Sequence, residues 1–157
     1  MAKEQRVERR HYTVEQANHA LPLVKVIAAD LVAKFAEVKE RKDRLDRIRR
    51  QKRSKDGVED FYAEELVEAE SQLEHELETL QGYIEELTDL GIEVKDASRG
   101  LLDFYSLLDG REVYLCWLLG EDEVGHWHEI DAGFAGRQSL LAGSSPGPQP
   151  QDFRGDQ

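Results

Sequence analysis

Residues 14–45, VEQANHALPLVKVIAADLVAKFAEVKERKDRL, decide the fold. Val14, Ala17, Leu21, Val24, Ala28, Leu31, Phe35, Val38 and Leu45 follow one another in steps of three and four, and only Lys42 breaks the last heptad. Such spacing keeps one face of an α-helix apolar over about 32 residues, or ~50 Å. Thr13-Val14-Glu15-Gln16 opens this helix as a capping box. The Thr13 hydroxyl can accept from the amide three residues on, and Gln16 can reach back to the Thr13 amide. Pro22 falls more than two turns in, where it forfeits one backbone hydrogen bond and bends the helix. Ala20, Leu23, Ile27 and Val32 widen the apolar face here, so this half of the helix is expected to pack on more than one partner.

Outward from that stretch the character changes. Lys39 to Lys55 holds ten basic residues against three acidic ones, and Ser54-Lys55-Asp56-Gly57 reads as a turn. A second helix is expected from Asp56 or Asp60 to Leu90, with Gly91 as its stop. Its seam is Leu66, Ala69, Leu73, Leu77, Leu80, Ile84 and Leu87. Between Gly57 and Val94 there are thirteen acidic residues and no Lys or Arg, while Thr13 to Lys55 carries twelve basic and six acidic ones. Matching seams, a short connection and opposite charge fold two such helices into an antiparallel hairpin.

Past Gly91 the period shortens towards two and β-formers dominate. Ile92–Lys95, Leu101–Tyr105, Val113–Leu119 and Val124–Ile130 are the strand candidates. Ser98-Arg99-Gly100, Asp109-Gly110 and Gly120-Glu121-Asp122-Glu123 are the turns. The expected fold is therefore α+β: a long, coiled-coil-like helical hairpin with a C-terminal antiparallel sheet of three or four strands leaning on its Pro22 end. Residues 12–141 form a single domain, with helices at 12–55 and 56–91 and a β-rich part at 92–141. Residues 1–11 and 142–157 are expected to be disordered, the latter because Gly-Ser-Ser-Pro-Gly-Pro-Gln-Pro-Gln has nothing to bury.

The 157 residues suit one domain with a modest core. A formal net charge of −12 repels nucleic acid and anionic membrane, leaving Arg41–Lys55 as the one place where RNA could bind. The acidic second helix can neutralise that segment, so a charge-paired tip is the expectation there. Cys116 is the single cysteine, which excludes an intramolecular disulfide and points to a reducing compartment. The opening MAKEQRVERRHY has no apolar run, and no segment approaches the ~20 apolar residues of a membrane span. A cytoplasmic protein is expected.

Chemistry-bearing residues concentrate between Arg111 and Arg137, REVYLCWLLGEDEVGHWHEIDAGFAGR. With a turn at Glu121-Asp122, partners across the hairpin sum to 243, so Trp117 faces His126 and Cys116 faces Trp127. One face then carries Val113, Leu115, Trp117, His126 and His128, and the other Tyr114, Cys116, Trp127 and Glu129. A change of one residue in the loop reverses this partnership and brings Cys116 towards a histidine. No cofactor is required by this pattern. The alternative is a divalent metal on His126, His128 and Cys116, since two imidazoles two apart on a strand project to one side. Gly133-Phe134-Ala135-Gly136-Arg137 could present amides and a guanidinium to an anion. The plainer reading is a tight turn with Arg137 paired to Asp131 or Glu121. Cys116, set among Leu115, Trp117 and Leu118, reads as buried filler rather than a nucleophile.

Tyr12-Thr13-Val14-Glu15-Gln16-Ala17 with Leu21-Pro22-Leu23-Val24 open a pattern that continues through Gly100-Leu101-Leu102-Asp103-Phe104, Asp109 to Trp117, Gly120-Glu121, Trp127-His128-Glu129 and Gly133-Phe134-Ala135-Gly136-Arg137. On these residues the chain resembles a family of small bacterial proteins classed as a domain of unknown function. Where the family pattern has a proline after the Asp-Phe pair, this chain has Tyr105. The resemblance implies a shared fold and a site in which Trp127-His128 is the fixed part, and it names no reaction. Trp117, Glu121, Trp127, His128, Gly133, Gly136 and Arg137 are thus the candidate ligand or structural site, with no catalytic residue assigned. The expected function is protein binding without catalysis, through a helical seam longer than the sheet can cover, to a partner or a second copy. The alternative is a small metal- or anion-dependent enzyme using His128, Glu121 and Arg137.

Overall fold

The computed structural model describes residues 10–54 and 59–140. Expectations for residues 1–9, for the 55–58 turn and for the 141–157 tail lie outside the described residues. Helix α1 runs Val14–Ser54, passing through Pro22, and α2 runs Glu59–Asp89. The capping box forms in both directions: Gln16 N donates to Thr13 Oγ1 and Thr13 N to Gln16 Oε1, each at 3.0 Å. Gly91, at φ 84°, ends α2 with a left-handed residue.

The two helices lie antiparallel around Leu31, Val38, Leu45, Ile48, Leu80 and Leu87, all buried. Two seam assignments change. Leu77 is 45% exposed and Glu76 takes the inward position, because Lys34 (2.5 Å) and Arg41 (3.6 Å) of α1 reach it there. Leu23 is 56% exposed and widens nothing; Ile27 is buried as expected. Arg44 and Arg49 of the basic stretch pair with Glu65 and Glu70 of α2.

Five antiparallel strands follow in the order β1-β2-β3-β4-β5: Ile92–Asp96, Leu101–Leu108, Arg111–Leu118, His126–Glu129 and Gln138–Ser139. The fold is α+β, with one strand more than the sequence pattern offers, since a two-residue strand leaves no periodicity to read. Asp109 and Gly110 both have positive φ (54° and 82°), the conformation a two-residue hairpin turn needs. The sheet rests on the Pro22 end of α1. Tyr12 N donates to Tyr105 O (2.7 Å), the Tyr12 hydroxyl to Leu90 O (2.5 Å), and Lys25 Nζ to Asp122 O (3.1 Å). Ile92, Leu102, Phe104, Val113, Leu115, Trp117, Val124 and Trp127 form one core with Ala17, Leu21, Val24, Ala28 and Leu31.

Candidate functional site

The β3–β4 register departs from the sequence expectation by one residue. Val113 pairs with Glu129, Tyr114 with His128, Leu115 with Trp127 and Cys116 with His126, so partners sum to 242. The faces of β4 are therefore reversed. Trp127 joins Leu115 and Trp117 against the helices, while His126 and His128 share the opposite face with Tyr114 and Cys116. The reason lies on α1. Asn18 Oδ1 accepts the Val124 amide at 2.7 Å and Asn18 Nδ2 donates to Val124 O at 3.3 Å, holding the loop like a strand partner. Val124 and Trp127, each 2% exposed, then fill the core. Glu121 fixes the other end of the loop, its carboxylate accepting the Leu118 amide (2.9 Å) and its carbonyl the Trp117 indole (3.0 Å).

On the face away from the helices the register lines up a row across all five strands: Glu93, Asp103, Cys116, His126 and Ser139. Tyr105, Tyr114 and His128 make the next row. The first row is polar from edge to edge, yet much of this face is buried: Asp103 is 1% exposed, Tyr114 5%, Cys116 0% and His128 1%. Phe134, on the 3-10 turn Phe134–Gly136, lies on this side with the Arg99 and Arg137 guanidinium groups stacked on its ring.

Three hydrogen-bonded groups organise the layer. At the β1 edge, Glu93 accepts from the Tyr105 and Tyr114 hydroxyls, both at 3.0 Å, and pairs with Lys95. Burial pushes Glu93 up, but Lys95 and the two hydroxyls outweigh it and hold the carboxyl below its ordinary value.

At the centre, His128 Nε2 stands 3.0 and 3.1 Å from the two Asp103 oxygens while Nδ1 donates to Glu129 O at 2.7 Å. A carbonyl only accepts, so Nδ1 carries a proton, and a second proton must lie between Nε2 and the Asp103 carboxyl. Both ring nitrogens are thus occupied. Burial raises Asp103, only partly offset by His128. Burial, followed by the negative Asp103 beside it, pushes the Cys116 thiol up to about 12. Cys116 is a neutral thiol, as its apolar neighbours led one to expect.

At the open edge, one Arg137 amino nitrogen donates to both Glu121 oxygens (2.9 Å each) and to His126 Nδ1 (2.8 Å). Burial pushes Glu121 up, but Arg137 and the Leu118 amide hold it below its usual range. The pairing of Arg137 with Glu121 is one of the two carboxylates the sequence offered. Gly133 adopts φ 75°, a backbone that side chains rarely take, and a Cβ on Gly136 would come within 2.8 Å of Ala132 Cβ, so both glycines serve the turn, one by its backbone and the other by its small size. The Gly136 and Arg137 amides donate to Gly133 O and Phe134 O rather than outward.

The structure thus brings together His128 and Cys116, and separately Glu121, Arg137 and His126. It sets Trp117 and Trp127 on the other side of the sheet. Of the three candidate metal donors, His128 and Cys116 come together with Asp103, whose donor atoms all lie within 4.8 Å of theirs; His126 faces Arg137 instead. Asp103 and Asn18 are the residues of this arrangement that sequence reasoning did not assign to the site. The signal for Asp103 was present: a carboxylate between Leu102 and Phe104 in a strand that reads as interior.

These features define a class: a helical hairpin carrying a five-stranded meander, with an apolar core on one sheet face and a buried polar layer on the other. The chain belongs to the family of uncharacterized conserved proteins designated DUF2203, whose model matches residues 10–140. No curated protein and no solved structure matches it. Among the described residues, no helix is long and apolar enough to cross a membrane.

Proposed function

We propose that the protein acts by binding rather than catalysis, its hairpin pairing with another helical chain, in the first place a second copy of itself. A second row on α1 carries this reading. Pro22, Val26, Ala29, Ala33 and Ala36 repeat the 4-3-4-3 spacing of a coiled-coil seam, and all are exposed. Val26 is 60% exposed, with Leu23 beside it at 56%. The row runs for about 21 Å along the helix. Its alanines allow close approach of a second helix, and a single self-complementary stripe suits a two-fold dimer.

The chemistry of the sheet supports the same reading. His128 and Cys116 are buried at 1% and 0% exposure, with Nε2 of His128 turned inward onto Asp103 and away from any substrate, and Arg137 is tied to Glu121. A metal- or anion-dependent enzyme would need at least one of these groups directed at a reactant.

Sedimentation equilibrium of the full chain tests the proposal. Dimer is expected in the micromolar range, with Val26→Asp or Ala33→Glu shifting the chain to monomer while its helical circular dichroism is kept. A wild-type chain that stays monomeric at every concentration would sink it.

A further inference from the structure

We propose that Asp103, Cys116 and His128 form a structural site for a zinc-type divalent ion, one that locks β2, β3 and β4 together. Each residue comes from a different strand, and one donor atom of each lies within 4.8 Å of the other two. Zinc bonds of about 2.0–2.3 Å put tetrahedral donors roughly 3.3–3.8 Å apart, so the His128–Asp103 pair must open by a few tenths of an ångström and a pair near the 4.8 Å limit must close by about 1 Å, movements within reach of side-chain rotation. The hydrogen bond that would orient the imidazole towards an ion is already made. Nδ1 of His128 donates to the Glu129 carbonyl, which leaves Nε2 as the liganding nitrogen and fixes the plane of the ring. One imidazole, one carboxylate and one thiol favour a borderline ion such as zinc over magnesium or calcium, which prefer all-oxygen shells.

Charge accounting points the same way. Without a metal, the cluster holds one proton between His128 and Asp103 and one on the Cys116 thiol, and its net charge is zero. A divalent ion bonds to Nε2, to a carboxylate oxygen and to the thiolate sulfur as both protons leave for solvent. The net charge is again zero. Burial at 0–1% exposure therefore does not penalise the exchange through a change of net charge. Three protein donors supply three of the four positions zinc ordinarily takes. The fourth falls to His126, which pairs with Cys116 across the ladder and would turn its ring from Arg137 towards the cluster, closing the shell as structural zinc sites require. A site closed to solvent on its protein side is a strut, not a reaction centre, so this inference stands whether or not the hairpin dimerises.

Cobalt(II) is the probe. The full chain, prepared without a histidine tag and stripped with chelator, is titrated with Co2+ and then with Zn2+. One equivalent of cobalt should bind with a thiolate-to-cobalt charge-transfer band in the near ultraviolet, and zinc should bleach it. Asp103→Asn should weaken binding at least tenfold, and Cys116→Ser should abolish the band. If those variants do not fold, the wild-type spectrum still decides, because Cys116 is the only cysteine and no other thiolate can produce the band. Absence of the band at stoichiometric cobalt, or its survival in Cys116→Ser, overturns the proposal.

Discussion

Replacing His128 with leucine should be far more damaging than replacing both His128 and Asp103. In the wild type the side chains of His128 and Asp103 are 2% and 1% exposed, and the imidazole is the partner that makes a carboxylate tolerable there. His128→Leu removes it and leaves Asp103 with the Cys116 thiol alone. Stranding one member of a buried pair costs about 3–5 kcal/mol, a large part of the ~5–15 kcal/mol that holds a domain folded. The carboxyl can escape by taking up a proton, which caps the loss near the lower figure at neutral pH. Asp103→Leu leaves an imidazole that keeps its Glu129 bond, so about 1–3 kcal/mol is expected. The double variant has no charge to strand and should lie within about 1–2 kcal/mol of wild type, since apolar replacement of a buried pair is often near neutral. Urea unfolding followed by tryptophan fluorescence, with chelator present throughout, gives all four corners of the cycle. If the two single costs simply add in the double variant, the pair is not coupled and the account of the polar layer is wrong.

Other expectations can be checked alongside. Gly100 has φ 74°, and an added Cβ would lie 2.8 Å from Leu119 Cβ and 3.1 Å from Val32 Cγ2, so Gly100→Ala should cost about 1–3 kcal/mol in chemical denaturation. Thr13→Ala breaks the capping box and should cost about 1 kcal/mol, with Thr13→Ser recovering most of it in the same assay. Glu76 is held below its ordinary value first by the Lys34 hydrogen bond, against burial, and then by the charges of Lys34 and Arg41. A depressed folded-state carboxyl stabilises above its unfolded pKa and loses that contribution as pH falls. Thermal melts should therefore show wild type and Glu76→Gln converging below about pH 4.5; a constant gap down to pH 3 would contradict the pairing.

The hairpin was legible in the sequence because everything that makes it is local. The seam residues repeat within one helix, the cap is four residues long, and the charge bias of each helix can be counted. Where two local solutions were equally good, the sequence misled: Leu77 and Glu76 both continue a three-four pattern from Leu73, and Lys34 on the other helix selects Glu76. The Arg137–Glu121 pair and the tight glycine turn were legible for the same local reason. The faces of β4 were not. A loop of unknown geometry leaves two registers, both with sensible alternation, and only the demand that Val124 and Trp127 be buried against α1 separates them. Asp103 was hidden because its meaning depends on a histidine 25 positions away that the other register would have placed on the opposite face.

Asn18 carries a consequence beyond the contacts it makes. The residue that settles which side of the sheet shows its histidines stands 106 positions before Val124, the loop residue it holds ahead of β4. A fragment starting at β1 would contain every donor of the Asp103–Cys116–His128 cluster and still lack the instruction that assembles it. The chemistry is written at the end of the chain, and the key to reading it lies in the first helix.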